Sequence, residues 1–104
     1  MVWAQMISTR LNPGKEDQFP RLIEELRAIE QPDSGLVQTL AMRDQGDPSR
    51  MVMLVLFESE EKARAREADP RRAEGLQAIR ALMTELFAGP PEFANLEVVA
   101  EHGR

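Results

Sequence analysis

Residues 51–57 read Met-Val-Met-Leu-Val-Leu-Phe, and all seven side chains are apolar. Because successive side chains of a β-strand point to opposite faces of the sheet, both faces of such a strand need burial. The run is much shorter than the roughly 20 residues that a membrane-spanning helix needs, so we expect no membrane segment. The length of 104 residues suits one domain, residues 1–104, built around this strand.

The rest of the chain divides into elements on both sides of this run. Apolar residues at spacings of three and four predict helices. Ser59, and Asp69 followed by Pro70, are typical of helix starts, whereas Asn12-Pro13-Gly14 and residues 44–48 are typical of turns. The predicted elements are strands over Met1–Leu11, Leu36–Arg43, Met51–Phe57 and Phe93–Glu101, and helices over Lys15–Glu30, Glu60–Ala68 and Pro70–Phe87.

This order, βαββαβ, predicts an α+β fold, namely a ferredoxin-like antiparallel sheet with the helices on one face. The helices can cover only one of the two faces, so the apolar residues at 52, 54 and 56 need another cover. An apolar face of several hundred Å² exceeds what monomers usually leave exposed, and its burial could supply on the order of 10 kcal/mol to association. We therefore expect a homodimer in which two sheets pack face to face.

Composition excludes several classes of function. There is no cysteine, so a thiolate nucleophile and a zinc ribbon are excluded. His102 is the single histidine and lies in the tail, so we expect no Ser-His-Asp triad within one chain. The net charge of −5 argues against nucleic acid as a partner. No basic side chain precedes Arg10 and no small-residue cleavage site follows the first strand, so we expect no secretory signal and a cytoplasmic location.

Five short stretches, in order along the chain, carry a family likeness. Their sequences are RLNPGKEDQF at 10–19, GLV at 35–37, the turn at 43–48, FESEE at 57–61 and LFAGPP at 86–91. They resemble the antibiotic biosynthesis monooxygenase (ABM) domain of the dimeric α/β-barrel superfamily over nearly the whole chain. The resemblance implies a cofactor-free monooxygenase acting on a phenol, quinol or anthrone. It also admits haem-degrading oxygenases, isomerases and members without activity, because fold alone does not choose between them.

The haem-degrading branch of this superfamily can be compared at three positions. Where that branch has an Asn, a Trp and a haem-ligating His, this chain has Ile7, Arg66 and Leu76. Neither isoleucine nor leucine can ligate iron, so we expect no haem-degrading activity, no metal site and no cofactor.

A cofactor-free oxygenase needs an apolar pocket, a donor for the substrate oxyanion and a proton acceptor. The alignment places Trp3, Gln5, Ile7 and Thr9 on the strand face toward the helices, with Arg66 on the helix opposite. We interpret Arg66 as an oxyanion or carboxylate clamp, Gln5 and Thr9 as orienting groups, and Trp3, Ile7 and Phe57 as further substrate-binding residues. The competing interpretations are a solvated helix face for Arg66 and core or interface packing for Trp3.

No convincing general base is found, so the catalytic residues stay unknown. Glu58, Glu60 and Glu61 lie where solvated helix caps are expected, and His102 lies in the tail. The chain is therefore either an ABM-type monooxygenase on a small aromatic substrate or a non-catalytic, small-ligand-binding or stress-related barrel. An isomerase is a third alternative.

Overall fold

The computed structural model describes residues 2–103 and has the predicted βαββαβ order. Four strands, β1 (Trp3–Arg10), β2 (Leu36–Asp44), β3 (Asp47–Phe57) and β4 (Glu92–Glu97), form one sheet with the order β2-β3-β1-β4, in which all neighbours are antiparallel. The helices are α1 (Phe19–Ile29), α2 (Glu60–Glu67) and α3 (Pro70–Leu86). The ferredoxin-like prediction is confirmed.

The two central strands put their helix-facing side chains in direct register. Trp3 is opposite Phe57, Ile7 opposite Met53 and Thr9 opposite Met51. These side chains join the helices in a single core, to which α1 contributes Phe19 and Leu22, α2 Ala63, and α3 Ile79, Leu82 and Leu86. All three helices therefore pack on one face of the sheet.

The other face of the sheet is left uncovered by residues 2–103. We call it the open face; its apolar members are Ala4, Met6, Leu40, Met42, Val52, Leu54, Leu56, Ala94 and Leu96, which are in register across the four strands. Leu40, Met42 and Leu96 are each about two-fifths exposed. Along β3, burial alternates between fully buried on the helix side and partly buried on the open face, as the apolar run at 51–57 predicts.

Helix starts follow the predicted chemistry. The Ser59 side chain accepts a hydrogen bond from the Lys62 amide, and Asp69 accepts one from the Arg71 amide, with Pro70 at the first helical position. The break between α2 and α3 therefore falls where the sequence places it.

Three predicted boundaries are wrong by four residues each, and several others differ by one residue. The first helix begins at Phe19, after a 3₁₀ turn over Glu16–Gln18, because Pro20 fits only in the first turn of an α-helix. The third strand begins at Asp47, since Gly46 turns the chain tightly with its amide hydrogen bonded to Asp44.

The last strand ends at Glu97 instead of Glu101, and Val99 is 88% exposed. Its partner is β1, which starts at Trp3 opposite Glu97. Beyond that pair a long hydrogen bond of 3.3 Å, from the Val98 amide to the Val2 carbonyl, continues the pairing by one residue, and the strand then ends. The predicted start of the first strand at Met1 lies outside the described residues.

No helix among residues 2–103 is long and apolar enough to cross a membrane. Within the same range, no three His, Cys, Asp or Glu side chains lie together in a way that could hold a metal ion.

Candidate functional site

The aromatic end of the sheet brings together three of the six predicted binding residues. The Trp3 and Phe57 rings are 6.0 Å apart between centroids, and the Arg66 guanidinium carbon lies 5.2 Å from the Phe57 centroid. Both rings are buried, and Arg64 lies over the outer side of Trp3. Cation–π contacts of this kind hold α2 against the sheet.

Arg66 is held by a carboxylate of the chain itself. Its Nε and Nη2 atoms each donate to Glu30 at 2.8 Å, a bidentate pair in which both side chains are less than one-fifth exposed. Burial opposes ionisation of Glu30, but hydrogen bonds from Arg66 and Ser34 outweigh it and lower the pKa of that carboxyl group. The edge of the guanidinium formed by Nε and Nη2, which could clamp an anion with two hydrogen bonds, is therefore available to a ligand only if Glu30 moves away.

The other three predicted residues lie along β1. The Gln5 side chain donates to Asn95 at 3.2 Å, and Ile7 packs against the core. Thr9 is 6% exposed, and its hydroxyl has no hydrogen-bond partner among residues 2–103. Thr9 lies six positions after Trp3 on β1, which is about 20 Å along the strand. The six predicted binding residues therefore do not form one open pocket. Their role in binding stays a prediction.

Two depressions of about 350 Å³ each open on the surface. The first lies at the end of β1, between Ser8, Thr9, Arg10, Arg50 and the segment 88–92. Its two arginines are already paired, Arg10 with Asp47 and Arg50 with Asp44. This charge-balanced rim beside the open face shows no preference for a ligand of either sign.

The second depression, which we call the α3 cleft, is lined by Leu76, Arg80, Met83, Thr84, Phe87 and Gly89. The first five recur at spacings of four, three, one and three along the chain, which places them on one flank of α3 beside its buried face. Leu76, Met83 and Phe87 are partly buried and form apolar walls, whereas Arg80 and Thr84 are exposed. The α3 cleft therefore combines apolar surface with one cation and one hydroxyl.

The helices leave part of β4 uncovered. Phe93 is in register with Ile7, so it lies on the helix side of the sheet, yet it is 59% exposed. Only Ala88–Pro91 separates Phe87, in the α3 cleft, from the start of β4.

Sequence reasoning places Leu76 at the position of a haem-ligating His, and it singles out none of Arg80, Met83 and Phe87. The signal that could have indicated the cleft is Arg80, a charged residue between the apolar residues Leu76 and Met83 on the same flank of the helix. Of the six predicted binding residues, Thr9 lines the depression at the end of β1, and the lining of the α3 cleft includes none.

Comparison with known proteins identifies the family of the chain. The model of the antibiotic biosynthesis monooxygenase family matches residues 3–81, and the chain belongs to that family. Among curated proteins, no sequence matches the chain.

Solved structures share the fold at low sequence identity. A Bordetella bronchiseptica protein whose name assigns it to the same family has 23% identity and a TM-score of 0.77, with 95% of this chain and 98% of that chain covered. SnoaB, a cofactor-independent oxygenase from Streptomyces nogalater, has 15% identity and a TM-score of 0.73, covering 96% and 95%. A Nitrosomonas europaea protein of unknown function has 19% identity and a TM-score of 0.72, covering 99% and 94%. At these identities the likeness establishes the fold alone.

Proposed function

We propose that this protein is a cofactor-independent monooxygenase acting on a small aromatic substrate of the phenol, quinol or anthrone type. The observation that carries the proposal is the α3 cleft, an open depression with apolar walls in a chain of the ABM family. Its volume of about 350 Å³ lies at the small end of the range for small-molecule sites, which fits a ligand of few fused rings. SnoaB is described as a cofactor-independent oxygenase and has a similar fold.

The chemistry needs an electron-rich substrate anion that gives its electrons to O₂. For an anthrone, the ring CH₂ group becomes a carbonyl: one oxygen atom of O₂ enters the product, and the other leaves as water with the two hydrogens. The substrate supplies all four electrons, so no further reductant is required. Apolar walls exclude water from the anion, and a nearby cation favours its formation.

Haem chemistry is not part of the proposal because the cleft residues do not suit it. Leu76, which lines the α3 cleft, is the residue aligned with the haem-ligating His of the haem-degrading branch. Its side chain has no atom that can bind iron. The expected absence of haem degradation stays a prediction.

One observation favours the alternative of a binding protein without turnover. The residues that line the α3 cleft include no carboxylate and no imidazole, so the cleft offers no general base. An oxygenase of this design would rely on a substrate acidic enough to lose its proton to solvent.

Oxygen uptake with 1,8-dihydroxyanthrone separates the two functions. The protein, without added cofactor, should consume one O₂ per anthrone faster than heat-denatured protein does, and ¹⁸O from ¹⁸O₂ should appear in the new carbonyl. Leu76→Trp, which fills the α3 cleft, should reduce the rate to background, whereas Val99→Trp, an equally bulky change on an exposed residue, should not. Binding of the anthrone without oxygen uptake would support the binding protein and overturn the oxygenase.

The open face supports a second proposal, that the protein is a homodimer. Its central apolar residues are bordered by the ion pairs Arg10–Asp47 and Arg50–Asp44 and by Glu92, which resembles the apolar centre and polar rim of protein interfaces. A second copy of the same sheet offers a matching surface, and burial at about 25 cal/mol per Å² favours association.

A further inference from the structure

The α3 cleft holds a single positive charge that the chain does not neutralise. Seven described arginines lie within 4.0 Å of a carboxylate, namely Arg10, Arg21, Arg27, Arg50, Arg64, Arg66 and Arg71. Among residues 2–103, no carboxylate lies that close to Arg80. Arg43 and Arg72 lack such a partner as well, but neither lines this cleft, so of these three arginines Arg80 is the one that places its charge beside the apolar walls.

Thr84 adds a second donor one turn farther along the same flank of the helix. It follows Arg80 by four residues, so the two side chains are neighbours on the surface of α3, and both line the cleft. A guanidinium presents parallel N–H groups that match the two oxygens of a carboxylate, and the hydroxyl can donate one further hydrogen bond. A lone phenolate oxygen would use less of this donor set.

The remaining lining residues indicate the chemistry of the uncharged part of the ligand. Leu76 and Met83 lie on either side of Arg80 in sequence, and the Phe87 ring lies one turn beyond Met83. Met83 and Phe87 pack against the core on one side, and all three apolar groups are partly exposed. Burying their exposed parts would favour a flat apolar ligand. The charged end of that ligand would then face Arg80 and its rings the apolar walls.

We propose that the α3 cleft binds an aromatic carboxylate, with Arg80 as the residue that selects the carboxylate and Thr84 as a supporting donor. This inference rests on the proposed function, since it names the chemical class of ligand for the same cleft. It differs from the sequence-based prediction, in which Arg66 is the anion clamp.

Calorimetric titration with 3-hydroxy-2-naphthoate and with uncharged 2-naphthol tests the assignment. The wild type should bind the naphthoate more tightly, and Arg80→Ala should weaken naphthoate binding by about tenfold or more while leaving 2-naphthol unchanged. Arg80→Lys should recover part of the loss, because an ammonium cannot form the bidentate pair. Arg43→Ala removes the same charge from an exposed position on β2 and should bind both ligands as the wild type does.

Two results would overturn the inference. One is equal naphthoate affinity in the wild type and Arg80→Ala. The other is a larger loss of naphthoate affinity in Arg66→Ala than in Arg80→Ala, with circular dichroism showing that Arg66→Ala is folded. That result would assign the anion clamp to Arg66. Oxygen uptake with the anthrone tests the proposed function separately. If naphthoate binding depends on Arg80 but no oxygen is consumed, the oxygenase proposal alone is refuted. If oxygen is consumed but naphthoate binding does not depend on Arg80, this inference alone is refuted.

Discussion

Arg66 shows how one side chain can look like a binding residue in sequence and serve the fold in the structure. Its position on α2 opposite the sheet was predicted, and it does lie against Phe57. What the sequence could not show is that Glu30, 36 residues earlier, reaches the same guanidinium. The pair joins the end of α1 to α2 and keeps both charges satisfied where they are mostly shielded from water.

Glu30 should make the stability of the protein depend on pH. Its pKa is lowered in the folded state from the ordinary value of 4.5, so its contribution to the free energy of unfolding is present above pH 4.5 and is lost as the pH falls through the folded-state pKa. We expect Glu30→Gln to cost about 1–3 kcal/mol at pH 7, since Arg66 loses its charged partner. Urea titrations from pH 7 to pH 3 should show the difference between variant and wild type shrinking in acid.

A control separates the pair from a general effect of acid. Glu24→Gln alters a carboxylate of α1 that is exposed and whose contact with Arg27 is 3.7 Å, so its stability should follow that of the wild type at every pH. A constant difference between Glu30→Gln and the wild type across the pH range would contradict the assigned role.

Close contact between α1 and α3 depends on the absence of a side chain at Gly75. A Cβ atom at this position would lie 2.8 Å from Cγ2 of Ile29 and 2.9 Å from its Cβ. We expect Gly75→Ala to destabilise the protein by about 1–2 kcal/mol, because overpacking outweighs the helix propensity that alanine gains. In an Ile29→Ala background the contact with Cγ2 is gone and the 2.9 Å contact with Cβ remains, so the same change should cost less than in the wild type; chemical denaturation of the four proteins provides the measurement.

Elements were predictable from sequence to the extent that local chemistry sets them. Apolar periodicity and the caps at Ser59 and Asp69 placed the helices, and the run at 51–57 placed the buried strand. The end of β4 was missed because it depends on where its partner β1 starts, which is a long-range pairing. The α3 cleft was missed for a similar reason, since a partly buried helix flank has the same sequence pattern whether another element covers it or leaves it open.

At the scale of the whole molecule, the open face should control assembly. Leu54 lies near its centre, in register with Met6 on β1 and Leu40 on β2. Sedimentation at micromolar concentration should give about twice 11.8 kDa for the wild type. Leu54→Arg should give monomer or aggregate, because an unpaired buried charge costs several kcal/mol.

Val99→Arg provides the matched comparison for this experiment. It adds the same charge at a residue that is 88% exposed and lies beyond the end of β4, so the dimer should persist. A folded monomer in the wild type would refute the face-to-face arrangement, and so would an intact dimer in Leu54→Arg.

The strand order has a consequence for how the protein is made. A ribosome releases β1 first and β4 last, yet the two are neighbours in the sheet, with Trp3 opposite Glu97. While the chain is still growing, β1 can pair with β3 on one side but exposes unpaired backbone groups on the other. That edge closes only after the helices have been synthesised, so until then the nascent chain offers other chains a strand to pair with.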